Sequence, residues 1–146
     1  MYTEKLSEQL SIVDTHARIV TTGGTASTST TGTAIDASEY NRIIAYGVFD
    51  VAKSATGASW TIQWNAATVS GMTGSTTITT CTGSVATPAA NTTTGVSCSI
   101  SGEAVQSART DEDRYVQAVV TANVKSAHAV GIDLLVLANA KRYHPN

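Results

Sequence analysis

The sequence has little charge and only two prolines, and the shortage of charge excludes several kinds of partner. Charged residues make up 14% of the 146 residues, where about 25% is usual in soluble domains. The net charge of −2 argues against the basic surface that binds nucleic acid or anionic membranes. No apolar run approaches the length of a membrane span, and residues 1–6 lack the features of a signal peptide. We expect synthesis in a cytoplasm and no nucleic-acid or membrane partner.

Side chains that carry out chemistry are also scarce and scattered. His16, His128 and His144 have no second histidine or acid at the spacing of metal ligands. The acids of residues 111–113 lack the spacing and the glycine of a calcium loop. A nucleophile needs a base within hydrogen-bond reach, and the sequence offers no such pair. We therefore expect no enzymatic activity, no cofactor and no metal site.

Cysteine is limited to Cys81 and Cys98. Because no secretion signal precedes them, we expect both to be reduced and to serve as small apolar residues inside strands. The alternative is a disulfide that joins two neighbouring strands. Two cysteines without nearby histidines are too few to hold a metal ion.

Threonine is abundant, at about one residue in six, far above average usage. It is β-branched and suits strands, and a chain of this length buries a core without a metal or a disulfide. The composition therefore favours a single all-β domain with uncharged polar faces. Such faces suit a protein that lies against other protein, because few charges need to be desolvated on contact.

Alternation of apolar and polar residues locates the main strands. Residues 42–51 form the strongest strand, and apolar side chains occupy both of its faces. Such a strand is central in its sheet or has one face at an interface. Residues 59–65 place Trp60, Ile62 and Trp64 on one face, which predicts a half-buried strand. Its tryptophans are expected in the core, or one of them anchors a partner.

Further strands are predicted at residues 17–22, 33–35, 76–81, 96–100, 115–123 and 128–137. The last two most simply pair as an antiparallel hairpin. Residues 23–32 and 82–94 are predicted to be loops. Asp133 lies in the last strand, where we expect it to pair with Arg42 or Arg114 if buried, or to lie at a subunit contact if exposed. Short strands separated by turns are typical of an antiparallel β-sandwich or jelly roll.

The N-terminal residues are less clearly a strand. Residues 2–14 place Leu6, Leu10 and Val13 on one helical stripe, but an isolated helix of this length is marginal in water. We interpret them as a short helix or an extended arm that becomes ordered against the sandwich or a neighbouring subunit. The predicted organisation is an arm and first strand at residues 1–22, followed by a β-sandwich domain at residues 23–146.

Four segments of the chain follow a particular order. Ile35-Asp36 and Tyr40 precede the long strand 42–51, a strand with two tryptophans and a glutamine follows at residues 59–64, Arg114-Tyr115-Val116 opens a late strand, and residues 134–142 end in a basic segment. This order resembles that of the small head decoration (cement) proteins of tailed bacteriophages, over about three-quarters of the chain. Residues 71–94 and 102–108 depart from that pattern.

The resemblance implies a β-sandwich that docks on the outside of a phage capsid, often as a trimer, and stabilises the mature head. The major capsid protein is then the partner, and many modest contacts add through multivalency. Alternatives are a tail or baseplate component, and a carbohydrate- or receptor-binding module that uses exposed aromatic side chains. The residues predicted to contact the capsid or a neighbouring subunit are Tyr2, Leu6, Leu10 and Val13 in the arm, and Arg42, Tyr46 and Trp64 in a second region.

Overall fold

The chain folds into two antiparallel β-sheets that pack face to face. The computed structural model describes residues 10–21, 26–52, 55, 57–85, 91–101, 114–124 and 130–139. The elements in these ranges are β1 (Leu10–Thr21), β2 (Ala26–Thr31), β3 (Ile35–Asp36), a 3₁₀ turn (Ala37–Glu39), β4 (Arg42–Val51), β5 (Ala58–Ala67), β6 (Thr76–Val85), β7 (Thr92–Ser101), β8 (Tyr115–Val124) and β9 (Val130–Asn139).

Each sheet is built from strands that are distant in the sequence. Sheet I has the order β1-β9-β4-β7, and sheet II has the order β2-β8-β5-β6, with the short β3 also paired to β8. Apart from β3, the chain changes sheet at every connection except the one from β5 to β6. This strand order is that of an eight-stranded jelly roll. The predicted all-β sandwich is therefore confirmed.

One core fills the space between the sheets. Strand β4 lies between β9 and β7, and Ile43 and Phe49 on its inner face are buried. From sheet II, Ile62 and Trp64 are fully buried, which confirms the prediction that this strand face lies in the core. The Trp64 indole Nε1 donates to the Cys98 carbonyl oxygen at 3.2 Å. This hydrogen bond replaces the one to water that the indole N–H gives up when it is buried.

In the N-terminal segment, the described residues 10–14 follow the extended alternative and not the short helix. Residues 10–21 form β1, which pairs with β9 from Leu10 opposite Asn139 to Thr21 opposite Val130. The register shifts between Ile12 and Asp14. Leu10 and Val13 are three positions apart, as on one face of a helix, but both lie in this strand. A ladder to a distant strand outweighs a marginal local helix. The boundary proposed at residue 22 stays a prediction, although β1 is part of sheet I.

Both predicted loops contain strand residues. Ala26–Thr31 forms β2 and pairs with β8, and the segment 82–94 contains the end of β6 and the start of β7. Threonine and serine are frequent in loops, but threonine also packs well on a pleated sheet. Composition alone therefore missed β2 and underestimated the lengths of β6 and β7.

The predicted hairpin of the last two strands is wrong. Strand β8 lies in sheet II between β2 and β5, and β9 lies in sheet I between β1 and β4. Both strands are lined on their inner faces by buried aliphatic residues, such as Val120 and Val136. Each therefore has neighbours on both sides within its own sheet, and the two inner faces contribute to the core from opposite sides.

The expectation that both cysteines are reduced is also wrong. Cys81 and Cys98 form a disulfide with a Cα–Cα distance of 5.6 Å. It joins β6 of sheet II to β7 of sheet I, rather than two neighbouring strands of one sheet. Both strands are the last in their sheets on the same side of the sandwich, so their inward side chains meet where the core ends.

Candidate interaction surface

The outer face of sheet I carries a group of apolar side chains. Register pairs Tyr46 of β4 with Leu135 of β9 and Ile44 of β4 with Leu137 of β9, and pairs Leu137 with Ile12 of β1. Ile12, Tyr46 and Leu135 are 63%, 52% and 42% exposed. We call the following side chains the sheet I patch: Ile12, Ile44, Tyr46, Val48, Leu135 and Leu137. Contiguous exposed apolar groups of this kind mark interaction sites more often than isolated ones.

Charged residues flank one end of the sheet I patch. The Arg18 guanidinium lies 3.2 Å from a carboxylate oxygen of Asp50 and 3.2 Å from one of Asp133. The Asp133 side chain is 40% exposed, so the pairing with Arg42 or Arg114 expected of a buried carboxylate does not apply, and a place at a subunit contact stays a prediction. An apolar centre with a polar rim is the usual anatomy of a protein interface.

Arg42 lies at the opposite end of β4. Its side-chain Nη2 donates to Ser99 Oγ at 3.0 Å, and its backbone N–H donates to Asn139 Oδ1 at 2.8 Å. The side chain is exposed. Charges therefore lie at both ends of the apolar strand face, and neither end is buried.

A shallow groove of about 350 Å³ crosses the sheet I patch. Tyr46, Val48 and Leu135 line it, together with Thr15 of β1 and Asp133 at its end. Its walls are mainly apolar, and no described cluster of three His, Cys, Asp or Glu side chains lies there or elsewhere in the described ranges. The groove therefore suits contact with an apolar side chain of another protein.

Sheet II presents a different outer face. Its outward side chains on β8, β5 and β6 are almost all threonine, serine, asparagine or glutamine. Several hydrogen-bond to one another: Ser29 Oγ lies 2.8 Å from Thr121 Oγ1, and Gln63 Nε2 donates to Thr77 Oγ1 at 2.9 Å. Tyr115 and Val119 of β8 are the exceptions to this composition. Some of the polar side chains on the outer face of sheet II therefore have hydrogen-bond partners within the sheet.

A buried histidine lies beside the edge of sheet I. His16 of β1 is 8% exposed, and neither ring nitrogen has a hydrogen-bond partner in the described part of the chain. Its Nε2 is 3.6 Å from Asp14 Oδ2, and that oxygen also accepts from the Thr33 backbone N–H. Burial lowers the pKa of His16, and the nearby Asp14 carboxylate partly opposes this. A neutral buried imidazole is the result.

A side chain at residue 32 would displace the Asp14–His16 pair. A Cβ on Gly32 would lie 2.1 Å from Asp14 Oδ2 and 2.6 Å from His16 Nε2. Such distances are far inside van der Waals contact, so the Asp14–His16 pair is packed against bare backbone.

Another charged pair fixes the 3₁₀ turn beside sheet II. Arg114 Nε donates to Asp36 Oδ2 at 2.7 Å, and Asp36 Oδ1 accepts from the Ser38 backbone N–H at 3.1 Å. The Arg114 hydrogen bond holds the pKa of Asp36 below its usual value. The Arg114 guanidinium also lies 5.7 Å from the ring centroid of Tyr115. This arrangement anchors the turn at the start of β8.

The predicted contact residues differ in their exposure to solvent. Leu10, Arg42 and Tyr46 are exposed, and Val13 is half-buried and packs against the core. Trp64 is fully buried, so its predicted role in a surface contact is wrong for the folded chain. Tyr2 and Leu6 lie outside the described residues, as do His128, His144 and the segments 102–108 and 111–113.

Sequence reasoning missed half of the sheet I patch. Ile12 fell in a segment interpreted as a helix or arm, and only the inner face of β9 was considered. The second face of β9, with Leu135 and Leu137, has the same alternation as the inner one and is the signal that was available. Its pairing with Tyr46 depends on β9 lying beside β4.

No helix among the described residues has the length and apolar character needed to cross a membrane.

Comparisons with known proteins support the fold. No protein-family model and no curated protein matches the chain. The structure of infectious bursal disease virus Gx strain matches 93% of this chain at 9% identity with a TM-score of 0.54, and this chain spans 33% of that one. A structure of CBM4 matches 84% of this chain at 14% identity with a TM-score of 0.44, and 82% of that chain is covered.

The enzymatically active domain of bacteriophage CBA120 tailspike protein 4 matches 91% of this chain at 16% identity with a TM-score of 0.43, and this chain spans 20% of it. This chain is thus about a third or less of the length of the two viral chains. At these identities the similarity concerns the fold, and this chain is similar to a β-sandwich domain found in a virus structure.

Proposed function

We propose that this chain is a structural virion protein that binds the outer surface of a phage capsid and stabilises the mature head. The observation that carries the proposal is the sheet I patch, centred on Tyr46 and Leu135 and exposed on the outer face of sheet I. An apolar group of this kind costs free energy in water and is retained where a partner covers it. In this proposal the partner is the major capsid protein.

The charge distribution supports a protein partner. The patch contains no charged side chain, and the nearest ion pairs are the exposed ones of Arg18 with Asp50 and Asp133. Docking on the patch therefore desolvates apolar carbon and few charges, which is favourable. Exposed rim charges steer the encounter more than they add affinity.

The resemblance to head decoration proteins gives the biological setting. Segments 35–51, 59–64 and 114–116 carry it, and in the structure they build β3, β4, β5 and the start of β8. We propose a location on the capsid exterior, and a homo-oligomer, with a trimer expected from the resemblance. Binding only the assembled shell stabilises that state by mass action. The protein acts in this proposal through binding, without catalysis.

The carbohydrate-binding alternative loses its main support in the structure. A sugar platform needs exposed aromatic faces, but Trp64 is fully buried and Trp60 packs against the core. Tyr46 is the exposed aromatic of the patch, and its neighbours there are aliphatic. Apolar neighbours suit a protein contact better than a sugar.

The test is co-sedimentation with intact phage heads that have been stripped of their small proteins. Wild-type protein is expected to pellet saturably, at a fixed ratio to the major capsid protein. The variant Tyr46→Ser/Leu135→Thr is expected to bind at least about tenfold more weakly, equivalent to about 1.4 kcal/mol, because it removes an aromatic anchor and its neighbour.

The matched control is Tyr115→Ser/Val119→Thr, which makes the same kinds of change on the outer face of sheet II. It is expected to pellet like wild type. Equal weakening by both variants would show that the patch is not the contact. No pelleting of wild type with heads, but pelleting with isolated tails, would favour a tail or baseplate component, and retention on a glycan array would favour the binding module.

A further inference from the structure

The histidine of β1 lies on the inner side of the sheet I edge, opposite Leu134 of β9. The His16 side chain is 2% exposed, and neither ring nitrogen has a hydrogen-bond partner in the described part of the chain. A buried polar atom without a partner destabilises a fold, and an apolar side chain at this position would avoid that cost. His16 is therefore unfavourable there in its neutral form, and a charge on the ring is more unfavourable still.

Strand β1 is held less firmly than its neighbour β9. Among the side chains that the structure describes, β1 contributes no fully buried apolar residue to the core, and Val13 and Ile19 are only half-buried. Strand β9 buries several apolar side chains, among them Ile132 and Val136. Because apolar burial is the dominant favourable contribution to folding, releasing β1 requires less free energy than releasing β9.

The ladder between β1 and β9 is also interrupted on both sides of His16. Its register shifts between Ile12 and Asp14, and again between His16 and Ile19. A bulge leaves a residue unpaired and disrupts the ladder locally, and β1 is the last strand of sheet I. Segments with few buried apolar contacts and irregular hydrogen bonding are the ones that open locally.

One carboxylate connects β1 to sheet II at this point. Asp14 Oδ2 accepts from the Thr33 backbone N–H at 2.8 Å. The preceding Gly32 is fixed to β8, because its N–H donates to the Ala118 carbonyl oxygen at 2.9 Å and its carbonyl oxygen accepts from Gln117 Nε2 at 2.7 Å. Asp14 therefore links the edge of sheet I to a segment that sheet II holds in place.

Among the described residues of the strands packed against β1, no second charge faces His16. Strands β2 and β8 contain no acidic or basic residue, and Asp133 of β9 pairs with Arg18 on the outer face. The charged group that acts on the imidazole is the Asp14 carboxylate. A single carboxylate thus has to offset the desolvation of a buried imidazolium, which is rarely sufficient.

The pair has little room to tighten when the ring becomes charged. His16 Nε2 lies 3.6 Å from Asp14 Oδ2, which is longer than a hydrogen bond. The Gly32 backbone packs against both side chains, since a Cβ there would lie 2.6 Å from Nε2. Burial lowers the pKa of His16, and Asp14 opposes this only in part. The ring therefore binds a proton more tightly when β1 is exposed to water.

We propose that protonation of His16 releases β1 from the sandwich, so that this edge of sheet I opens in acid while the other strands stay paired. In the released strand the imidazolium is hydrated, and the Asp14 link to Thr33 is broken. Strands β9, β4 and β7 keep their ladders to one another, and the disulfide still ties β7 to β6. The proton selects between two arrangements of one strand.

Release of β1 alters the sheet I patch. Ile12 belongs to the patch, and Thr15 lines the groove beside Tyr46 and Leu135. When β1 leaves, the patch loses the strand that forms one of its sides, and binding to heads weakens in acid. This consequence rests on the proposed function, whereas the release concerns the isolated chain and needs no partner.

The test is amide hydrogen exchange of the isolated protein at about pH 7.5 and about pH 5.5, corrected for the intrinsic exchange rates. Amides of β1 are expected to exchange faster than those of β4 at both values, because β1 opens without the centre of the sheet. The opening constant of β1 is expected to rise severalfold in acid, and by at most about tenfold, since one group titrates.

The matched control is His16→Gln, which keeps a buried polar side chain but carries no charge at either pH. Its β1 strand is expected to open equally at the two pH values. If His16→Gln does not fold, His16→Leu takes its place, with slower exchange and the same independence of pH. The inference fails if β1 of wild type exchanges only together with β4, if acid leaves its opening unchanged or slows it, or if the acid effect persists without the histidine.

Co-sedimentation with heads at the same two pH values separates this inference from the proposed function. Wild type is expected to pellet more weakly in acid, and His16→Gln equally at both values. Acid opening of β1 in a protein that never pellets with heads retains the inference and removes the capsid proposal. A protein that pellets with heads while β1 stays closed in acid does the reverse.

Discussion

The outer faces of sheets I and II differ although both sheets enclose the same core. On sheet I, Tyr46, Leu135 and Ile12 are exposed apolar side chains, whereas the corresponding positions of sheet II carry hydrogen-bonded threonine and glutamine such as Thr121 and Gln63. Core packing constrains only the inward residue of each alternating pair. The outward residues are free to differ, and their difference indicates which face meets a partner.

The largest expected effect comes from breaking the core on which both faces depend. Trp64→Ala is expected to lower the free energy of unfolding by about 3–5 kcal/mol, because it leaves a cavity and removes the bond to the Cys98 carbonyl oxygen. Thr61→Ala on the outward face of the same strand is expected to change it by less than about 0.5 kcal/mol. Denaturant unfolding measures both.

A comparable loss for the two variants would contradict the assignment of inward and outward faces. If Trp64→Ala does not fold, Ile62→Val takes its place, with an expected loss of about 0.5–1.5 kcal/mol.

The second effect concerns the disulfide that joins the two sheets. It closes a loop with a sequence separation of 17 residues, for which chain-entropy arguments give about 2–4 kcal/mol. Cys81→Ala/Cys98→Ala is expected to lose that amount, measured by denaturant unfolding, and wild type in reductant should lose a similar amount. The double variant serves as control, because reductant should not change it. Wild-type stability that is indifferent to reductant would argue against the bond.

The third effect is a pH dependence of stability that differs between the two sheets. Burial lowers the pKa of His16 in sheet I, so the unfolded chain binds the proton more readily. Above the ordinary pKa of 6.5, His16 is neutral in both the folded and the unfolded chain, and the free energy of unfolding is at its full value. As the pH falls below 6.5 toward the lowered pKa, only the unfolded chain takes up the proton, and the free energy of unfolding decreases. Unfolding midpoints measured across this range should fall for wild type and stay flatter for His16→Leu. Parallel curves for the two proteins would contradict the buried neutral imidazole.

Sheet II should respond at lower pH. The hydrogen bond from Arg114 lowers the pKa of Asp36, and that contribution is present above the ordinary value of 3.8 and is lost as the pH falls through the lowered pKa. Asp36→Asn should therefore remove the decrease in the free energy of unfolding at acid pH, without changing the decrease that His16 causes at higher pH. A change in the His16 window in this variant would show that the two sites are coupled.

The smallest effect is expected from the exposed ion pairs beside the sheet I patch. Arg18→Gln breaks contacts to Asp50 and Asp133, but such exposed pairs contribute only about 0–1 kcal/mol. Thermal unfolding should shift little, and the remaining shift should disappear at high salt. A loss as large as that of the disulfide variant would mean that Arg18 supports the sheet in another way.

Much of the fold was predictable because strand alternation is local. The sequence pattern of residues 42–51 predicted β4 with its bounds, and a central place in its sheet was one of the two alternatives it left open. The Trp60–Ile62–Trp64 alternation predicted the inward face of β5. Of the sheet I patch, only the β4 side chains Ile44, Tyr46 and Val48 were indicated by the sequence, as the second apolar face of that strand. Ile12 was missed because Leu10 and Val13 suggested a helix, and the strand became apparent only through its ladder to β9.

The amino-acid sequence by itself determined that this protein is an all-β chain with a shared inner core, because a period of two places apolar side chains on one side of a strand whatever its partner. Only the tertiary structure decided which strands are neighbours: that β8 and β9 separate into two sheets, that Cys81 meets Cys98, and that Tyr46 lies beside Leu135. Backbone hydrogen bonds between strands are nearly the same for every sequence. The partner of each strand is therefore chosen by how all the apolar faces pack together, which no single segment specifies.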